Sequence, residues 1–180
     1  MKATGIVRRI DDLGRIVIPK EIRRVLRVRE GDPMEIFVDR DGGVILKKYS
    51  PIGDLGDFAK EYAESLHEST GHIAIITDRD TTVAVEGGSK RDYYEKDVSP
   101  LVEMVMERRI ATLETDSGKY EICKGLIEFY SSCVIAPIVQ GGDPIGSVIL
   151  VSKDEAVKMG RMELKMAETA ASFLAKRMDI

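Results

Sequence analysis

The hardest constraint on this sequence is how little its first 50 or so residues offer for building a core. They contain one Phe and no Trp, Cys or His. A segment this short buries too little apolar surface to be stable by itself, and the usual remedies are disulfides, a bound metal or oligomerisation. Without Cys or His, oligomerisation is what remains. The segment is expected to fold only as a dimer. Its four short strands would leave exposed edges in a single copy, so exchange of strands between chains is expected as well.

The local pattern supports this reading. GIVRRI, residues 5–10, is short and rich in β-branched residues; the turn-forming DDLG follows, and RIVI resumes the same character. Pro19 fits the first position of a helix, and Ile22, Val25 and Leu26 then fall at i, i+3 and i+4 on one face. PMEIFVD and GVILKK flank an Asp41-Gly42 turn signal, which predicts a hairpin. The N-terminal unit, residues 1–53, is thus read as β-β-α-β-β, with Tyr49 to Asp54 as a linker.

Charge divides the chain at the same place. Residues 1–53 hold 12 Lys/Arg against 8 Asp/Glu, a balance of +4, whereas the remainder holds 15 against 23, a balance of −8. A basic segment joined to an acidic one suggests a polyanion-binding module attached to a domain that stays off the polyanion. The basic residues are Arg8 and Arg9 on the first strand, Arg15 opening the second, and Lys20, Arg23 and Arg24 on the helix, with Arg27 just beyond. A charge run is ordinarily a solvated face. Here a twofold dimer would present two such sets together, and arginine's planar fork suits phosphates and guanine edges. No aromatic is interleaved with the arginines, which favours double-stranded over single-stranded DNA.

Residues 54–180 read as a separate α+β domain. From Asp54, a good N-cap, the row Leu55, Phe58, Ala59, Tyr62, Ala63 and Leu66 runs at helical spacing to Gly71. HIAIITD and TTVAVEG suggest a hairpin, and SPLVEMVMERR a helix. CVIAPIV and PIGSVILVS around QGGD suggest two central strands of an antiparallel sheet covered on both faces by helices. Ser152 and Glu155 have capping-box spacing for a last helix over 154–178, which would be roughly 39 Å long. Its rows Val157, Gly160, Leu164, Ala167, Ala171, Leu174, Met178 and Met162, Met166, Ala170, Phe173 admit two readings: one wide stripe on the core, or one row on the sheet and one on a partner. The second pairs it with the helix over 54–70 as a dimer bundle, making the chain a homotetramer.

Catalytic signals are absent from the sequence. It has no Walker loop, no G-x-G-x-x-G after a strand and no G-x-S-x-G elbow. His67, His72, Cys123 and Cys133 lack metal-ligand spacing, and Cys133 reads as a buried small hydrophobe. Asp11-Asp12, Asp39/Asp41 and Asp78/Asp80 read as turn residues. The expectation is a protein that is not an enzyme and has no metal or cofactor. The start, MKATGIVRR, lacks a secretory signal, and the longest apolar run, Cys133 to Val139, is far below the roughly 20 residues of a membrane span. The protein is expected in the cytoplasm, at the nucleoid.

The GRIVIPKEIR core, within residues 1 to about 50, resembles the swapped-hairpin DNA-binding domain of the AbrB-like transition-state regulators. The resemblance implies two chains interleaved into one domain. It also implies DNA contacts by the arginines at Arg8, Arg15, Arg23 and Arg24, with Arg9 and Lys20 as phosphate contacts beside them. VIAPIVQGGDPIGSVILVS resembles a GAF domain, and the whole chain is similar to sporulation transcription regulators that join the two. GAF domains elsewhere take small molecules, so an unidentified ligand is a possible partner; the signature of the cyclic-nucleotide binders is missing. Two other readings remain. One is an antitoxin, which uses the same N-terminal fold but normally follows it with a flexible tail; the other is a small-molecule sensor whose N-terminal segment only oligomerises.

Overall fold

The computed structural model describes residues 5–54 and 56–178. The chain divides into two compact units, Met1–Tyr49 and Ser50–Ile180.

In the first unit, helix α1 (Lys20–Val25) precedes an antiparallel hairpin of β1 (Met34–Val38) and β2 (Val44–Lys48). The Asp41-Gly42 turn lies where the sequence puts it. Asp39 accepts the N–H groups of Asp41 and Gly43 on its side-chain oxygen, and Gly42 has a φ of +80° that suits glycine. Pro19 stands one position earlier than expected: it is the N-cap, extended at ψ 148°, and its carbonyl accepts the Arg23 N–H. The runs 5–10 and 15–18 carry no ladder and are not strands in the single chain, unlike the strand-turn-strand expectation. Their apolar side chains find no cover there, since Val7 is 87% and Val17 71% exposed.

The second unit begins earlier than the linker reading placed it. Pro51–Asp54 is a short helix, α2, and Ile52 is wholly buried in this unit's core. Asp54 is the last residue of α2, the next helix, α3, runs over Gly56–Thr70, and Leu55 lies outside the described residues. The helix ends as expected, with Gly71 at φ +72° donating its N–H to the His67 carbonyl.

The strands are β3 (Ile73–Asp78), β4 (Thr82–Glu86), β5 (Thr112–Glu114), β6 (Gly118–Cys123), β7 (Leu126–Tyr130), β8 (Ser132–Gln140) and β9 (Asp143–Ser152). Five of them form an antiparallel sheet in the order β4-β3-β9-β8-β5, so the two near-continuous apolar runs, β8 and β9, lie inside it. Pro137 sits in β8 beyond the reach of β5, which pairs only with Cys133 to Ile135; its missing N–H therefore breaks no ladder on that side. At Asp78, β3 faces Gly146 of β9, where an added Cβ would stand 2.1 Å from the Thr77 carbonyl oxygen.

Ala74, Ile76, Val134, Ala136, Val148 and Leu150 turn to one sheet face and pack with α2, α3 and α6 (Arg161–Arg177). Ile75, Val85, Cys133, Ile135, Ile149 and Val151 turn to the other. That second face is covered by α5 (Pro100–Arg108) together with the β6–β7 hairpin and Tyr93 of the short α4 (Lys90–Tyr93), so helices alone do not cover it. Helix α5 has both start signals: Pro100 in its first turn, and Ser99 accepting the Val102 N–H on its hydroxyl.

The last helix is shorter than expected. It starts at Arg161, where Glu163 accepts the Gly160 N–H, and spans about 26 Å at the usual rise. Ser152 is committed to the β8–β9 ladder, so the Ser152/Glu155 box does not form. Residues 153–160 are instead held as a tether. Ser131 donates its hydroxyl to the Val157 carbonyl, the Met159 N–H bonds Ser132, and Met159 itself is buried. Lys158 gives its ammonium to the carbonyls of Thr115 and Ser131 and to the Ser117 hydroxyl.

Candidate nucleic-acid interface

The basic residues are spread over an extended run, a tight turn and a short helix. Asp11 builds the turn. Its Oδ1 accepts the N–H of Leu13 at 3.0 Å and of Arg15 at 2.8 Å, the Gly14 N–H bonds the Asp11 carbonyl at 3.0 Å, and Gly14 takes a φ of +74°. Its Oδ2 accepts from Arg15 Nε at 2.8 Å. These bonds, the backbone N–H of Arg15 first and its guanidinium second, hold the Asp11 carboxyl below the usual carboxylate range. The pairing is therefore complete at neutral pH and is lost only as pH falls through that lowered value.

Helix α1 ends after six residues because the chain closes on itself: the Val28 N–H bonds the Arg23 carbonyl at 2.8 Å and Arg27 adopts a left-handed φ of 52°. Arg8, Arg9, Arg15, Lys20, Arg23 and Arg24 are all exposed. Of these six, only Arg15 forms an ion pair among the described residues. Lys48 of the same unit is tied down, lying 3.3 Å from Asp32.

Beside the charges lies an apolar surface without a core. Among the described residues before Ser50 only Pro19 is buried, and neither apolar core cluster takes a residue from this part of the chain. Val25 is 81% and Val38 73% exposed, and Ile10, Ile36 and Val44 are exposed too. Isolated exposed apolar residues are ordinary on a protein surface, but so many on one small unit mark an interaction surface.

The second unit offers two further features. A groove of about 630 Å³ runs between α3 and α6, lined by Tyr62, Leu66, Met162 and Met166. Next to it the Phe58 and Phe173 rings stack at 5.8 Å under the Arg177 guanidinium. Ala167, Ala171 and Leu174 of α6 are buried, as is Ala170 of the second row, while Met162 and Phe173 of that row reach solvent.

The other feature was not foreseen from sequence. The Tyr93 and Tyr130 hydroxyls lie 2.9 Å apart, both within hydrogen-bond reach of the Glu128 carboxylate, so their two protons are shared among three contacts, and Lys153 donates to the same carboxylate. Burial by itself would raise the Glu128 carboxyl, but the bonds from Lys153 and the tyrosines outweigh it and leave it below the ordinary range. The alternation in LIEFY after Lys124-Gly125 was the available signal, since it places Glu128 and Tyr130 on one face.

Cys123 and Cys133 are buried free thiols. Burial raises the first and pushes the second up to about 12, which disfavours the thiolate in both. Asp78, like Asp11 and Asp39, caps its own turn by accepting the N–H groups of Asp80 and Thr81. Among the described residues no group of His, Cys, Asp and Glu could hold a metal ion, and no helix is long and apolar enough to cross a membrane.

A small arginine-lined unit without a core of its own, followed by a sheet domain with paired surface helices, has the make-up of a DNA-binding transcription regulator. Residues 54–179 match the family model for the stage V sporulation protein T C-terminal transcription factor, and residues 7–54 match that for MazE, the antidote-toxin recognition domain of bacterial antitoxins. The chain is 59% identical to stage V sporulation protein T of Bacillus subtilis (strain 168) over 179 residues, covering 99% of both chains. Over 51 residues it is 61% identical to the transition state regulatory protein AbrB of the same organism, covering 28% of this chain and 52% of AbrB. The second unit has a GAF fold: the GAF domain of the Acinetobacter phosphoenolpyruvate-protein phosphotransferase superposes with a TM-score of 0.60 at 15% identity, covering 69% of this chain and 82% of that one. The chain belongs to the stage V sporulation protein T family.

Proposed function

We propose that residues 1–53 of two chains interleave into one domain that grips double-stranded DNA with Arg8, Arg9, Arg15, Lys20, Arg23 and Arg24 from each. The observation that carries this reading is the row of exposed apolar side chains, Val7, Ile10, Val17, Val25 and Val38 among them, on the unit that bears these basic residues. A second chain supplies what that row lacks, a core, and lets the runs 5–10 and 15–18 enter a sheet. Light scattering on residues 1–53 is expected to give a dimer; a folded monomer would overturn the exchange.

The face formed by α3 and α6 joins two such dimers into a homotetramer with two DNA-binding heads, the second row of α6 meeting the partner copy. Phe173→Glu puts a charge on the half-exposed ring position beside Phe58 and Tyr62. It is expected to reduce the full-length mass from tetramer to dimer with an unchanged circular dichroism spectrum. A tetramer that persists would place the contact elsewhere.

Two linked heads raise affinity on long sites through effective concentration. A small-molecule ligand of the GAF-fold domain would act by shifting one head against the other. The protein works as a regulator on chromosomal DNA in the cytoplasm, without catalysis. The antitoxin resemblance covers residues 7–54, and a folded domain rather than a flexible tail makes up the rest of the second unit.

A further inference from the structure

Asp11 is an anomaly on a surface meant for a polyanion. A carboxylate among the arginines repels every phosphate brought near it, so it lowers affinity for all duplexes alike. Capping the turn accounts for only half of the side chain: Oδ1 takes the N–H groups of Leu13 and Arg15, a task that an uncharged acceptor performs equally well. Oδ2 does something else. It holds Arg15 at 2.8 Å through Nε, the one guanidinium nitrogen that is not terminal. That bond does not use the terminal nitrogens Nη1 and Nη2, and the side chain is still 69% exposed.

We infer that Asp11 is a positioning residue for DNA recognition, fixing the plane of the Arg15 guanidinium so that its two terminal nitrogens meet a base edge or phosphate together. An arginine held this way has already lost the rotamer freedom that a free one gives up on binding. Bidentate contact depends on that plane, whereas simple charge attraction does not. Asp11 therefore exchanges some general affinity for discrimination. This rests on the reading of Arg15 as a DNA contact.

The test uses the full-length chain and two probes: duplexes enriched by the wild-type chain from a randomised library, and the starting library itself. Asp11→Asn keeps the Oδ1 acceptor and loses the Arg15 pair. It is expected to unfold at the wild-type temperature, to bind the starting library a few-fold more tightly, and to lose about tenfold of the preference for enriched duplexes. Arg15→Ala is expected to lose the same preference, with Asp11→Asn adding nothing to it. Arg15→Lys keeps the charge without the fork, and covers the case in which Asp11→Asn disturbs the turn: it is expected to hold library affinity while losing preference. If Asp11→Asn retains the preference that Arg15→Ala loses, Asp11 is a turn residue only and the inference fails while the DNA reading stands. If Arg15→Ala changes neither affinity nor preference, the reading of Arg15 falls and the inference with it.

Discussion

Replacing Arg23 and Arg24 together by alanine is expected to weaken binding of the full-length chain to duplex DNA by about a thousandfold at near-physiological salt. The two side chains lie on the exposed side of α1, and neither forms an ion pair among the described residues, so none of these competes for their charge. In the proposed dimeric head the double substitution removes four of the proposed contacts. At about 1 kcal/mol for each, the loss is about 4 kcal/mol, which is roughly three orders of magnitude in affinity. The slope of log affinity against log salt should flatten by about four units, because each lost phosphate contact leaves one counterion unreleased. Thermal unfolding should not change, since α1 buries neither residue. Fluorescence anisotropy over a salt series reads both quantities, and an unchanged slope would move the DNA-binding face away from this helix.

The largest expected effect on stability comes from one methyl group. Gly146→Ala places a Cβ 2.1 Å from the Thr77 carbonyl oxygen and 3.2 Å from the Asp78 Cα. Both are backbone atoms, so no side chain can rotate aside; β3 and β9 must separate where they pair. Because β9 lies between β3 and β8, that displacement reaches the buried cores on both faces of the sheet. A loss of about 3 kcal/mol or more is expected, equivalent to about 10 °C or more in the unfolding of the GAF-fold domain. Gly118→Ala serves as the control: its nearest neighbour would be a Tyr120 ring carbon at 3.6 Å, an ordinary contact. Calorimetry that found the two variants equally stable would show that the sheet gives way more easily than close packing allows.

What could be read from the sequence followed the range of the forces involved. The Asp41-Gly42 turn, the end of α3 at Gly71 and the β8–β9 pair depend on local backbone preference and on long apolar runs, and each is where the pattern puts it. The start of α6 depends on partners distant in sequence. Ser152–Glu155 carries the spacing of a cap, but the ladder to Ser132 and the bonds of Val157, Lys158 and Met159 to the 115–132 region hold the segment out of a helix. The β6–β7 hairpin was missed although its turn, Lys124-Gly125, and its alternation were in view. For the candidate site, the arginines were recognisable as a basic set. The bond of Asp11 to Arg15 was not, because a turn aspartate looks the same in sequence whether or not its second oxygen is engaged.

The three bonds of Lys158 bear on how this protein comes off its target. They join a cation to uncharged oxygens at direct contact, a short-range interaction that dissolved ions screen little, and the apolar packing of α6 strengthens in salting-out media. The proposed arginine contacts have the opposite response, since counterions returning to the phosphates undo them. Raising ionic strength should therefore release the protein from DNA with its GAF-fold domain still folded, ready to rebind on dilution.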